Sequence, residues 1–166
     1  MKKTIMLTAA VCAAVFLGGC SSRETAGFTE KDLVLTISGT EYHSRDNIED
    51  VIANLGDGYQ YAEGKSCNYD GLDKTYTYTE AIFYTNPLGE GDLLSEIYSN
   101  NGAVSTSKGI SIGADKSAVL EAYGSPSEQD DYLLIYRTSE ENGSPSLCFE
   151  LEEGKVSAIF LTVDPV

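Results

Sequence analysis

The side chains in this 166-residue chain best suited to covalent or acid–base chemistry are one imidazole, four thiols and an abundance of carboxylates. His43 lies in "TEYHSRD", with Glu41, Ser44 and Asp46 as sequence neighbours. Nucleophilic catalysis needs a nucleophile, a base and an orienting acid that converge in space, and closeness along the chain does not supply that. An exposed, turn-like setting without catalytic use is the expectation for His43. No GxSxG, Walker loop, GxGxxG or HExxH pattern occurs. "NYDGLD" (68–73) groups Asn68, Asp70 and Asp73 around a glycine but lacks the ligand spacing and distal bidentate glutamate of a calcium loop. It reads as a solvated turn, as do "SEQDDY" (127–132) and "EENG" (140–143). Paired acids for glycoside hydrolysis would need a cleft, usually aromatic-lined, and the chain has no tryptophan. With no CxxC, histidine pair or His–carboxylate spacing, the expectation is no metal, no cofactor and no catalytic residue.

The thiols divide by position. Cys12 and Cys20 belong to the N-terminus, leaving Cys67 and Cys148 eighty-one positions apart. Those two either bridge, closing a long loop, or stay separate thiols, which is the favoured state. Cys20 is different, because it ends an apolar run abruptly. Met1-Lys2-Lys3 carries positive charge, and Ile5 to Leu17 is apolar or small except at Thr8. As a helix that run spans about 20 Å, short of the roughly 30 Å of a hydrocarbon core. A charged start, a short apolar segment and small residues before a cut site make a secretory signal. Leu17-Gly18-Gly19-Cys20 resembles the lipobox of bacterial lipoproteins. The resemblance implies that the Cys20 sulfur receives a diacylglyceryl group, that cleavage occurs before it, and that the new amine is often acylated as well. Two or three acyl chains give a stable anchor where one gives a reversible one. The expected address is therefore the cell membrane, lipid-anchored and facing outside the cytoplasm.

Charge narrows the partners. The chain has 26 acidic and 11 basic residues, a formal net charge of −15. Removing residues 1–19, which hold two lysines and no acid, takes it to −17. Such a chain is repelled by phosphate backbones and anionic headgroups, so nucleic acid is excluded as a partner. The same charge suits a body tethered to a membrane but held off its surface.

The organisation expected behind these residues is a signal peptide (1–19), a polar tether (20–31) and two modules, 32–105 and 106–166. "DNIEDVIANLGDGY" (46–59) and "ADKSAVLEAYGSPS" (114–127) align Val51-Ile52 with Val119-Leu120, Leu55 with Tyr123 and Gly56 with Gly124. Each is followed by a matching strand, in which Leu94, Ile97 and Tyr98 correspond to Val156, Ile159 and Phe160. An internal repeat weighs more in a fold assignment than local propensity. In the first copy Asp46 is the expected helix cap, with Glu49 completing a capping box and Ile48, Val51, Ile52 and Leu55 forming an apolar stripe. Gly56 and Gly124 are the expected helix stops. Strands are expected at 33–38, 74–79, 81–85, 92–99, 109–113, 132–137, 146–151 and 155–163, with 57–73 a long loop. Helices of eight or nine residues need an apolar platform. The predicted fold is therefore α+β, a tandem duplication of a short helix packed on an antiparallel three- to four-stranded meander.

The opening "TSKGISIGADKSAVLEAYGSP" and the order of helix, glycine and meander resemble the small modules of BamE/SmpA-type lipoproteins. Two in tandem resemble the β-lactamase inhibitor proteins. Two-module lipoproteins of Gram-positive bacteria share a pattern like SC-x-x-x-G-x-D-K-x-Y-x-Y, met here by Ser66-Cys67, Gly71, Asp73-Lys74, Tyr76 and Tyr78. The resemblance implies a protein-contacting scaffold without catalysis. The inhibitor proteins staple each module with a disulfide, whereas this chain has one cysteine per copy, so neither β-lactamase inhibition nor any binding residue is carried over.

Eleven tyrosines are the remaining signal. Tyrosine combines rigid apolar area with a polar tip and is enriched at protein interfaces. Tyr76, Tyr78 and Tyr84 are expected on strands, the first candidates for packing beneath a helix. Tyr59, Tyr61 and Tyr69, in the expected loop, are the candidates for partner contact. The functional expectation is a membrane-anchored, non-catalytic protein-binding or scaffold lipoprotein. It carries an exposed aromatic patch on the open face of the sheet or in the 57–73 loop. The alternative is an acidic ligand- or cation-binding lipoprotein, and a carboxylate-dependent hydrolase is the least favoured option.

Overall fold

The computed structural model describes residues 27–88 and 91–163. Leu17, Gly18, Gly19 and Cys20 lie outside the described residues. Eleven strands and two α-helices follow one another among the described residues. A 3-10 turn (Glu30–Asp32) leads into a hairpin of β1 (Val34–Ile37) and β2 (Thr40–His43), then α1 (Ile48–Leu55). A meander follows, β3 (Gln60–Lys65), β4 (Leu72–Thr77), β5 (Ile82–Leu88) and β6 (Gly91–Ser99). After β7 (Val104–Thr106) and α2 (Lys116–Tyr123) comes a second run, β8 (Glu128–Gln129), β9 (Leu133–Arg137), β10 (Pro145–Glu152) and β11 (Lys155–Val163).

This architecture corrects the α+β expectation. Of the described residues, 49% lie in strands or bridges and 14% in helices, and the meanders do not form separate sheets beneath separate helices. They join edge to edge into one antiparallel sheet of eight strands, ordered β3-β4-β5-β6-β11-β10-β9-β8. A second, three-stranded sheet, β2-β1-β7, combines strands from both halves of the chain. The physical reason is pairing. A meander on its own leaves two strand edges unsatisfied, and here β6 and β11 satisfy each other. Their register places Tyr98 against Phe160, Ile97 against Leu161 and Ser99 against Ile159.

One core unites these layers. Phe83, Ile97, Ile159, Leu147, Phe149 and Leu134 project from one face of the large sheet and are completely buried. They meet Val51 of α1, Val119 of α2, and Leu35 and Ile37 of β1 in a single cluster. Two aromatic groups anchor it. Tyr78 and Tyr42 both set their rings edge-on against Phe83, at centroid distances of 5.8 and 5.6 Å. Tyr123, Tyr136 and Phe149 contact one another at 5.4–5.9 Å. Such pairs contribute about 0.5–1.5 kcal/mol beyond their buried area.

The helix ends repeat the same solution. Gly56 and Gly124 follow the two helices with φ of +79° and +77°, a region that favours glycine. The Tyr78 hydroxyl donates to the Gly56 carbonyl at 2.7 Å, and the Tyr136 hydroxyl donates to the Gly124 carbonyl at 3.1 Å. Sheet tyrosines thus satisfy carbonyls that a helix terminus leaves open. At the other end of α1 the cap is Asn47 and not Asp46. Its side-chain oxygen accepts from the Glu49 amide at 3.0 Å, while Asp46 accepts from the His43 amide at 2.7 Å. The carboxylate of Asp46 closes the preceding turn and leaves the helix to its neighbour.

Three further differences bear on the site. The stretch 57–73 is not all loop, because β3 pairs with β4 from Gln60↔Thr77 to Lys65↔Leu72 and forms an exposed sheet edge. The strand expected at 109–113 reduces to a single bridge between Ser105 and Ser111, and β7 takes its place. Residues 28–32 are docked, not free. Phe28 packs on Tyr123 and Tyr136, and the buried Asp32 carboxylate accepts from the Ser107 hydroxyl at 2.8 Å and the Thr29 amide at 2.9 Å. The Lys108 ammonium lies 3.5 Å from Asp32 and donates to the carbonyls of Ala122 at 3.1 Å and Gly27 at 3.3 Å.

Burial alone would raise the pKa of Asp32, but the hydrogen bonds from Ser107 and Thr29 and the charge of Lys108 together hold it below its ordinary 3.8. A carboxylate with a lowered folded-state pKa stabilises the fold above its unfolded pKa and loses that contribution as pH falls through the folded one. Asp32→Ala is therefore expected to cost about 3 kcal/mol at neutral pH, by analogy with other broken buried pairs. Urea denaturation across pH should show the difference from the unmodified protein shrinking toward acid, below pH 3.8.

Candidate functional site

Opposite the core, the large sheet presents every second residue to solvent, and the register determines which ones share a row. Ile82 pairs with Tyr98, Tyr98 with Phe160, Phe160 with Cys148, and Cys148 with Ile135. Five strands therefore contribute one apolar row across a face that, in an antiparallel sheet with no second cover, is ordinarily polar. Tyr98 and Phe160 lie at its centre with rings 6.1 Å apart. Ile82, Tyr98, Phe160 and Ile135 are half-buried, and Cys148 is buried between its neighbours.

Two β-bulges flank this row. On β6, Leu94 pairs with Thr85 and Glu96 with Tyr84, leaving Ser95 as an extra residue. On β11, Val156 pairs with Leu151 and Ala158 with Glu150, leaving Ser157 extra. A bulge re-aims the side chains beside it, and each of these opens onto a shallow hollow. The first, about 320 Å³, is lined by Asn68, Tyr84, Asn86, Ser95, Glu96, Thr162 and Val163. The second, about 390 Å³, is lined by Asp130, Tyr132, Leu133, Glu150, Leu151, Ser157 and Phe160. Polar side chains predominate among the residues of the first, although half its wall is apolar, and the second mixes acids with apolar side chains.

Carboxylates dominate the electrostatics of the face. Burial raises the pKa of Glu96, the charge of Glu150 adds to that rise, and a hydrogen bond from Thr162 opposes it. Burial likewise raises Tyr98, reinforced by Glu150, whose carboxylate accepts from the Tyr98 hydroxyl at 3.3 Å. Tyr84 is raised by burial and by Glu96. At the β9 edge Arg137 lies 2.8 Å from Glu128 and 3.2 Å from Glu140.

The residues singled out from sequence lie elsewhere. Tyr59 is half-buried against Tyr76 and Tyr78, with ring distances of 5.0 and 5.4 Å, and so extends the core. Tyr61, on β3, meets its cross-strand neighbour Tyr76 edge-on at 5.3 Å and is 48% exposed. Its hydroxyl donates to Glu63, a bond that pushes its pKa up to about 12. Tyr69 belongs to a different place, a small cleft with Arg45, Asn86, Leu88 and Val163. Tyr59 and Tyr61 therefore come together on Tyr76, while Tyr69 borders the Asn86 end of the open face. Tyr76 and Tyr78 pack in the core, whereas Tyr84 faces outward. His43 ends β2, exposed, with its ring nitrogen 3.6 Å from Asp46. Cys67 is exposed and Cys148 buried, with no disulfide between them. Among the described residues no group of three His, Cys, Asp or Glu side chains converges as a metal site, and no helix is long and apolar enough to cross a membrane.

An aromatic patch on the open face or in the 57–73 loop is what the sequence suggests, but the members of the row and its hollows are products of register. One signal was present: Tyr98 and Phe160 fall on matched positions of matched strands, and both are large aromatics at outward positions. Comparison with family models, curated proteins and solved structures gives no match to this chain.

Because Glu96 has a raised pKa in the folded protein, its contribution to stability is fully present below its ordinary 4.5 and is lost as pH rises through the folded value. Glu96→Gln should therefore be more stable than the unmodified protein at neutral pH and indistinguishable from it below pH 4.5. Thermal midpoints of the two proteins measured across pH 4–8 test this, and a constant difference would contradict it.

Proposed function

We propose that this protein is a non-catalytic, lipid-anchored binding module outside the cytoplasm, which docks a basic protein partner on the open face of its eight-stranded sheet. The observation that carries the reading is the apolar row Ile82–Tyr98–Phe160–Cys148–Ile135, which lies half-buried at the centre of an uncovered sheet face, with Cys148 buried between its neighbours. Contiguous apolar surface rimmed by polar groups marks interaction sites, and aromatic residues at such a centre are the usual anchors of binding energy. The basic character of the partner follows from complementarity, since Glu96, Glu150 and Glu128 surround the row on a chain of net charge −15. The anchor rests on the lipobox at Leu17-Gly18-Gly19-Cys20. The non-catalytic reading is supported by the position of His43, exposed on β2 and lining neither hollow of the open face.

The test is photocrosslinking in the producing cell from Phe160, with Asn54 on the exposed side of α1 as the control position. One protein of basic surface is expected to be captured from Phe160 and not from Asn54. Capture should fall at least tenfold with Tyr98→Ala and with increasing salt. Equal capture from both positions, or capture insensitive to Tyr98→Ala, would overturn the docking face. In parallel, Cys20→Ser should move the protein from the membrane to the soluble or uncleaved fraction, and membrane retention of a cleaved Cys20→Ser protein would overturn the anchor.

A further inference from the structure

We propose that the hollow beside Glu96 receives an arginine side chain of the docked protein, so that the open face reads its partner through one charged socket as well as through its aromatic row. The inference rests on the docking face described above and adds the chemistry of one subsite.

Four observations lead to it. The Glu96 carboxylate lines a cavity of about 320 Å³, large enough for the planar end and part of the stem of a long side chain. Around it stand residues that carry hydrogen-bond acceptors, Asn68, Asn86, Ser95 and Thr162, together with Tyr84. No lysine or arginine of the described residues forms an ion pair with Glu96, whereas Asp92, a half-buried carboxylate on the same strand, holds Lys74 at 2.6 Å. Finally, the Ser95 bulge interrupts the ladder at this spot, and bulges concentrate where a side chain is re-aimed for use.

A partly desolvated carboxylate without an internal cation is unfavourable by itself. It is well matched to an incoming one. Guanidinium fits better than a compact ammonium, because its five donors lie in one plane and can serve a carboxylate and neighbouring acceptors together, while its face stacks on an aromatic ring. The second hollow offers a contrast. There Glu150 already accepts the Tyr98 hydroxyl, and Leu133, Leu151 and Phe160 form much of the wall, a setting for an apolar side chain.

The experiment uses the full chain in detergent micelles, followed by amide NMR during titration with Nα-acetyl-arginine amide and, separately, its neutral isostere Nα-acetyl-citrulline amide. Saturable shifts are expected at Tyr84, Ser95, Glu96 and Thr162, with affinity on the order of millimolar for so small a ligand. The citrulline compound should bind at least tenfold more weakly. Glu96→Gln, which the pH argument above expects to be folded and stable, should weaken arginine binding at least tenfold, whereas Asp130→Asn in the other hollow should not. Equal binding of the two compounds, shifts scattered over the acidic surface, or unchanged affinity in Glu96→Gln would overturn the proposal. Its failure separates from that of the docking face. Capture from Phe160 without arginine binding removes the socket and leaves the face. Arginine binding without capture shows that the cation is not a partner's side chain, which also overturns the inference as stated.

Discussion

The antiparallel pairing of β6 with β11 is the constraint from which the rest of the molecule follows. Without it there would be two small meanders, each with raw edges. With it there is a single surface eight strands wide. The same few hydrogen-bonded positions place Ile97 and Leu161 together in the core and Tyr98 and Phe160 together outside. They also bring Glu96 of one strand against Thr162 of the other. The interior, the aromatic row and the polar hollow share one register. A slip by one residue would turn each of these side chains to the opposite face.

The two faces of that sheet treat tyrosine differently. Inside, Tyr78 and Tyr136 bury their rings and spend their hydroxyls on the carbonyls that end α1 and α2. Those contacts are complete. Outside, Tyr84 and Tyr98 keep their rings half-buried beside glutamates, and the rise in their pKa reflects burial next to negative charge. These groups have acceptors and apolar area still to offer.

Local features were legible in the sequence, and partnerships were not. Both helices lie where the stripes Ile48–Val51–Ile52–Leu55 and Val119–Leu120–Tyr123 put them, and both stop at the glycine that the pattern marks. The correspondence of 46–59 with 114–127 extends to the hydroxyl bonds at the helix ends. It says nothing, however, about which strand edges meet, because period-two patterning defines a face without naming a neighbour. The α+β duplication therefore gave way to a mostly β arrangement joined through β6 and β11. Residues 60–65 read as loop because "QYAEGK" is polar on both faces, as an edge strand flanked by solvent can be. Asp46 and Asn47 are equally good caps by type, and only the geometry of the turn after His43 assigns one to each task. The loop tyrosines attracted attention by composition, while the open face drew its members from five strands spread over Ile82 to Phe160.

The route by which the chain reaches this state is set by the same seam. Neighbouring strands of each meander close through short connections, whereas Ser99 must find Ile159 sixty positions along the chain, and Leu35 must find Thr106 seventy-one positions along it. Loop-closure entropy makes such encounters slow, and topologies dominated by them fold in milliseconds to seconds. During synthesis, β6 leaves the ribosome well before β11 exists, so its outer edge and the residues Leu94 and Ile97 wait uncovered. A polypeptide that cannot finish its sheet until its last strand arrives spends that interval incomplete, and so remains threadable for longer.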